Sequence, residues 1–345
     1  MKLLFITQKL KEQDAFGVLW VREFIRQGFD VTVICLEGSP ETFEFPVHSL
    51  GKESGLPKLQ SALRFEKLIT TLPYDRVFVH MAPVWYALGF WLWVIRRVPT
   101  YLWYTHYKMQ LGVQLFGWFG TRFFCATPQS LPQFQDSPKK TVVGHGIDLG
   151  FWQKRANVCQ DSYRLLVVHR LSRSKRLELS ILALRLLDSS FTIDVYGIEA
   201  ESAYAAEMKT LVAALKLESR VTFHGTVPMQ KLPELYSHHR LILNMASETI
   251  DKTMLEAMTC GCYPVTTLAN AVAIGLTTPT PNPSPEGGGE VVAPSTDTPD
   301  AIATFIRQYA EVAPIDADTM YQIVSEHHSL EGLITMMGKH IRSGQ

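Results

Sequence analysis

A chain of 345 residues with 46% apolar content can bury sizeable cores and is long for one ordinary domain, so two domains are expected, although one large barrel would fit the length alone. The 33 basic and 33 acidic residues cancel, and neither half has the strong basic excess that a nucleic-acid-binding domain usually shows. Residues 1–150 nevertheless carry 16 Lys/Arg against 12 Asp/Glu, leaving 17 against 21 in the rest, and this mildly basic first half fits contact with an anionic surface.

The first apolar run, at residues 2–7, is followed by Gln8 and Lys9 and reads as a buried strand rather than as the core of a signal peptide. Helical periodicity follows at 18–27, a strand at 30–36 and a helix at 58–71. Further strands are expected at 76–80, 100–106, 122–127 and 141–144. Residues 81–95 form an uncharged run that ends at Arg96 and Arg97, short of the roughly 18–20 residues a spanning helix needs.

The pattern restarts after the polar stretch 153–162. Strands are expected at 164–169, 192–196, 221–224, 241–245 and 263–267, with helices at 176–187, 203–215, 231–238 and 253–258 between them. Strands separated by helices make parallel sheets covered on both faces. The expectation is therefore an α/β protein with two Rossmann-like, doubly wound domains facing a central cleft, an arrangement that can hold an acceptor on the domain at 1–152 and a donor on the domain at 160–325. Thr298, Pro299 and Asp300 read as a helix start, and a last helix at 318–345, with Asp318 as a candidate cap, is expected to pack back toward the first domain. The Pro/Gly-rich stretch 277–290 has nothing apolar to bury and reads as a flexible surface insertion.

The five cysteines show neither a zinc-type CxxC pair nor a secreted disulfide framework, and reduced thiols in the cytoplasm are the expected state. Asp316-Ala317-Asp318 is the one triplet that could suggest an Asp-x-Asp metal motif, but its place before a helix favours capping, so no metal is expected.

Candidate chemistry lies in the second half. The stretch from Glu248 through Thr249, Ile250, Asp251, Lys252 and Thr253 to Glu256 follows a buried strand and turns into a helix, whose first amides suit phosphate or sugar oxygens. Two carboxylates, Glu248 in the loop and Glu256 on the helix, could accept hydrogen bonds from two sets of hydroxyls; they also read as a capping acid and a solvated helix residue. Arg170 and Lys175 flank a turn at the end of another strand, where fixed cations would stabilise a departing diphosphate, or would form a solvated basic surface.

Taken in order along almost the whole chain, these features resemble the retaining glycosyltransferases of group 1, also called family 4, with the GT-B fold. His145-Gly146-Ile147-Asp148 with Phe151 resembles that family's interdomain segment, Arg170 with Lys175 its donor-phosphate pair, and Glu248 with Glu256 its two spaced glutamates, supported by Leu255-Glu256-Ala257-Met258, Gly261 and Pro264. The resemblance implies Arg170 and Lys175 on the donor diphosphate, Glu248 on the transferred sugar, Glu256 on the ribose and His106 near the donor sugar. It also implies no metal and no cofactor beyond the nucleotide-diphosphate sugar itself. The chain departs from the family pattern at His169, where a glycine usually stands, and at Thr249-Ile250-Asp251-Lys252, where a glycine-containing loop usually follows the first acid.

In the first half the glycine-rich turn usual after the first strand is reduced to Gly17, which could let backbone amides approach an acceptor or a phosphate, or could be a plain loop glycine. His80 and His106 end expected strands; His80 reads as a packed histidine. Trp85, Tyr86, Phe90, Trp91, Trp93 and Trp103, beside Arg96 and Arg97, read either as core or as an anchor in a lipid headgroup region. The expected activity is retaining, metal-independent hexosyl transfer from a nucleotide-sugar donor to a saccharide or lipid-linked acceptor in cell-envelope glycan synthesis. It would take place in the cytoplasm, with peripheral contact at the inner membrane face through the first domain and no nucleic-acid partner. The alternatives are a catalytically silent sugar-nucleotide-binding subunit, an epimerase of the same fold, and an inverting transferase.

Overall fold

A computed structural model describes residues 1–11, 15–106, 108–156, 158–247, 250–276 and 291–344, with the backbone alone for Ala15 and Phe16. The stretch expected to be an insertion, 277–290, lies outside the described residues, as do Glu248 and Thr249. The chain forms two compact units: residues 1–146 with 328–345, and residues 147–327.

The first unit is built from β1 (Lys2–Leu10), α1 (Ala15–Arg26), β2 (Asp30–Gly38), β3 (Val47–Ser49), α2 (Lys58–Thr71), β4 (Arg76–His80), α3 (Pro83–Ile95), β5 (Thr100–Trp103), α4 (Leu111–Phe119), β6 (Arg122–Cys125) and β7 (Lys140–Val142). Among the described residues its strands pair in parallel in the order β3-β2-β1-β4-β5-β6-β7. Leu3, Leu4, Phe5 and Ile6 are all buried, because a strand covered on both faces must be apolar on both. On one face Phe5 and Phe78 pack against Trp20 and Phe24 of α1; on the other, Leu4 and Val79 pack against Phe65, Trp93 and Phe116 of α2, α3 and α4.

The second unit carries β8 (Arg164–Val168), α5 (Leu177–Leu186), β9 (Thr192–Tyr196), α6 (Ser202–Ala214), β10 (Val221–Gly225), α7 (Leu232–His238), β11 (Leu241–Asn244), α8 (Lys252–Thr259), β12 (Tyr263–Thr266), α9 (Leu268–Ile274), α10 (Pro299–Tyr309) and α11 (Ala317–His328). Its five strands are parallel in the order β10-β9-β8-β11-β12. The chain then returns to the first unit with α12 (Leu330–Ser343). There Leu333, Ile334 and Met337 enter the core beside α1. Tyr101 donates to the His340 carbonyl at 3.2 Å, and the Arg342 guanidinium lies 4.5 Å from the Phe29 ring centre.

Several elements differ from the sequence expectation. The helix expected from Asp318 onward is two helices, because Ser329 breaks it and caps α12, its hydroxyl accepting the Gly332 amide at 3.3 Å. Asp316, not Asp318, caps α11, accepting the Thr319 amide at 2.8 Å. Helices α3 and α4 contain no charged residue, so no polar stripe marks their period in the sequence. Gly17 sits inside the first turn of α1 rather than in a loop before it; a Cβ there would stand 3.3 Å from Leu10, so the glycine allows close helix–strand packing. Strand β5 ends at Trp103, which leaves His106 in the following segment instead of at a strand end.

Candidate functional site in the second unit

In the second sheet the chain leaves β8 for β9 on one side and later places β11 on the other, so the strand order reverses between β8 and β11. Ligands of open parallel sheets bind beyond the carboxyl ends of the strands at such a reversal. The loops after β8 and β11 start there side by side, and Ser247 N–H donates to the Ser174 carbonyl at 3.2 Å. Arg176 fastens them further: its Nε donates to the Met245 carbonyl at 2.7 Å and its Nη2 meets Asp297 at 2.9 Å.

The two sequence motifs therefore meet through side chains. Lys175 closes a one-turn 3-10 helix and is only 7% exposed, and its ammonium lies 2.7 Å from Asp251 Oδ2. Asn244, the last residue of β11, donates to the same oxygen at 3.2 Å. A buried ammonium needs such a partner, and Asp251 in turn is held by two donors. Lysine has three N–H donors, so two remain for an oxyanion.

Asp251 also begins α8. Its backbone is extended and its carbonyl accepts the Met254 amide at 3.1 Å, while its carboxylate caps no helix amide and turns to Lys175 instead. The start of α8 carries the positive end of the helix dipole, and it lies next in sequence to Asp251, the residue that holds Lys175. Helix α8 stops at Gly261, whose left-handed backbone (φ +79°) lets the Cys262 amide return to the Ala257 carbonyl at 2.9 Å and sends the chain into β12.

The remaining expected residues fall as follows. Arg170 is exposed, and among the described residues its guanidinium has no partner. Lys252 and Glu256 stand one turn apart on α8 and are partly buried. Burial pushes the Glu256 carboxyl up and the Lys252 ammonium down, each toward its neutral form, while each one's charge pulls the other back. Thr253 Oγ1 accepts from Asn244 at 3.4 Å, and the Ile250 side chain packs against the core of the unit. Gly17 and His106 belong to the first unit; His106 is exposed, with its ring 5.6 Å from Tyr104. His80 is buried, stacked on Trp103 at 5.0 Å.

Sequence reasoning passed over Asn244, Gly197 and Tyr236, and read His169 only as a departure from the family pattern. Asn244 orients Asp251, and only its position at the end of a buried strand could have flagged it. His169 is buried and its Nδ1 lies 3.0 Å from the Arg170 carbonyl; burial lowers its pKa to about 4. Gly197 permits this packing, since a Cβ there would stand 1.9 Å from the His169 carbonyl oxygen. Tyr236 of α7 is fully buried, and its hydroxyl has no hydrogen-bond partner among the described residues. Burial raises its pKa well above the phenol range, and the charge of Glu256 adds to the shift.

Residues 151–273 match the family model for glycosyl transferases group 1. No curated protein matches the chain. Among solved structures, Anabaena HepE in complex with UDP and glucose superposes with a TM-score of 0.76 at 19% identity, covering 99% of this chain and 100% of that one. Sucrose-phosphate synthase from Thermosynechococcus elongatus gives 0.76 at 15% identity over 99% and 98% of the two chains. The lipopolysaccharide outer core galactosyltransferase WaaB gives 0.68 at 13% identity over the whole of both. At these identities the likeness establishes the architecture, two parallel-sheet α/β units of the GT-B type.

Proposed function

We propose that this chain, a glycosyltransferase by its group 1 segment, moves a hexose from a nucleoside-diphosphate sugar to a saccharide or lipid-linked acceptor, with retention of anomeric configuration and without a metal, in cell-envelope glycan synthesis at the cytoplasmic side. The observation that carries the reading is the buried Lys175–Asp251 pair at the reversal between β8 and β11, beside the start of α8. The two remaining N–H donors of Lys175, the exposed guanidinium of Arg170 and the positive end of the α8 dipole together would supply the positive potential that a departing diphosphate requires. Leaving-group stabilisation is then the main catalytic contribution of the second unit, and the acceptor hydroxyl attacks from the face that the diphosphate leaves.

Within this reading Glu248 holds the transferred sugar, Glu256 the ribose, and His106 of the first unit the donor sugar or the acceptor, with Gly17 on the acceptor side. The solved HepE complex with UDP-glucose and the galactosyltransferase WaaB support a nucleotide-sugar donor and a glycan acceptor. No helix of the described residues is long and apolar enough to cross a membrane.

A panel of nucleotide-sugars screened by thermal shift identifies the donor, since a ligand at a hundredfold its Kd adds about 2.7 kcal/mol of stability. The product anomer, read by NMR, must match the donor anomer, and turnover must survive EDTA; an inverted product, or activity lost on chelation and restored by magnesium or manganese, overturns the mechanism. Glu256→Gln should weaken both the whole donor and the bare nucleoside diphosphate, and Glu248→Gln only the donor, by roughly ten- to hundredfold for a charged hydrogen bond. Equal losses for both ligands in Glu248→Gln would remove the sugar from that residue.

A further inference from the structure

Helices α3 and α4 bury one side and expose another that is also apolar. Both pack into the core on the same face of the first sheet, through Tyr86, Trp93 and Phe116. They run side by side in the same direction. A Cβ on Gly112 would strike the Pro83 carbonyl at 1.8 Å, Tyr86 meets Phe116 at 4.7 Å between ring centres, and Phe90 stacks on Phe119 at 5.5 Å. Their outward sides therefore form one surface.

That surface carries Trp91, Val94 and Ile95 from α3, and Leu111, Trp118 and Phe119 from α4; Trp118 is 70% and Ile95 72% exposed. With Val84, the two helices contribute seven of the twenty exposed large apolar side chains among the described residues, from segments of thirteen and nine residues. An uncharged helix is normally buried all round, and an apolar patch of this kind marks a contact surface.

The charges at its edge choose the partner. Arg96 and Arg97 follow α3 directly and are exposed. At the end of α4, Lys139 donates to the Gly117 carbonyl at 3.0 Å, and Arg122 stands close by in sequence. One acid reaches the patch, Glu66 of α2, which accepts a hydrogen bond from Trp91 and whose carboxyl burial pushes up. Tryptophan has an apolar body and a polar N–H, which suits the headgroup boundary of a bilayer, and arginines at that depth meet lipid phosphates.

We propose that the outward face of α3 and α4 docks the first unit onto an anionic lipid bilayer, with Trp91, Trp118 and Phe119 entering the headgroup boundary and Arg96 and Arg97 binding lipid phosphates. The inference stands on this surface alone and does not depend on the chemistry of the second unit.

The test is flotation of the full chain with vesicles of phosphatidylcholine, alone and mixed with phosphatidylglycerol. The chain should float with the mixed vesicles, and salt should weaken the association. Trp91→Ser with Trp118→Ser should lower the bound partition roughly tenfold, because binding scales with the apolar area inserted. Arg96→Gln with Arg97→Gln should lower it by roughly fivefold per charge on the mixed vesicles and leave the phosphatidylcholine baseline unchanged. All four side chains are exposed, so melting temperatures should hold and the arginine pair gives an independent reading if the tryptophan pair perturbs folding. Absence of binding to either vesicle overturns the proposal, as does binding that neither pair alters. A chain that self-associates until Trp91 and Trp118 are replaced, and never floats, would make the face an interface between copies and equally overturn it.

Discussion

In the first sheet the strand order reverses between β1 and β4, and in the second between β8 and β11. Around the first reversal the side chains are aromatic: His80 at the end of β4 stacks on Trp103 at the end of β5, and the Trp20 indole lies 4.9 Å from each ring. Around the second they are charged and amidic, with Lys175, Asp251 and Asn244 sharing one carboxylate oxygen. One winding thus supports a packed aromatic wall in one unit and an ionic network in the other. Topology chooses where a site forms, while the few residues at the strand ends choose its chemistry.

The comparison breaks most visibly at Trp20. Replacing this buried side chain by alanine should cost about 3–5 kcal/mol of stability while leaving the affinity for a nucleoside diphosphate unchanged, as read by urea unfolding and calorimetry. A folded Trp20→Ala variant that no longer binds the diphosphate would show that the aromatic wall takes part in donor binding.

His169 gives the corresponding probe of the second unit. Between about pH 6.5 and 4 the unfolded chain binds a proton that the buried imidazole refuses, so stability is fullest above that window and falls as the pH drops through it, by on the order of 3 kcal/mol across the whole window. His48 and His340 of the first unit are also shifted down by burial, so the informative quantity is the difference between the wild type and His169→Gln. Parallel stability curves for the two proteins would mean that His169 is not held neutral.

Lys175→Ala and Arg170→Ala separate two kinds of cation. Lys175 is buried against Asp251, so its loss should cost about 1–3 kcal/mol of stability and weaken diphosphate binding by roughly ten- to hundredfold. Arg170 is exposed, so its loss should weaken binding about tenfold and leave the melting temperature in place. Full affinity in both variants would remove the ionic network from the donor site. The smallest effect belongs to the caps: Ser329→Ala in the first unit and Thr298→Ala in the second, each capping a helix amide, should each cost about 1 kcal/mol in thermal melts.

The sequence makes the second unit more legible than the first, and for a physical reason. Its strands are short apolar runs set between amphipathic helices, and its charged candidates sit just beyond strand ends, where the sequence marks them. Arg170, Lys175 and Asp251 could therefore be named in advance. What could not be read was that Asp251 turns its carboxylate onto Lys175, because pairing across the β8–β11 reversal depends on strand order, and strand order leaves no local trace. In the first unit, α3 and α4 carry no charge, and a helix without a polar stripe has no period to detect. Within the aromatic run there, Trp85, Tyr86, Trp93 and Trp103 lie in the core, as the core reading expected, and Trp91 is exposed.

The place of α12 has a consequence for the order in which the protein is made. Leu333, Ile334 and Met337 complete the core beside α1, yet residues 147–327 of the second unit are synthesised before them. On the ribosome the unit that begins first is therefore finished last, and the apolar face of α1 waits uncovered while the other unit emerges and folds. A message cut short before residue 330 would release a chain whose second unit has its full sequence and whose first unit shows an open seam, the kind of surface that chaperones bind and proteases find.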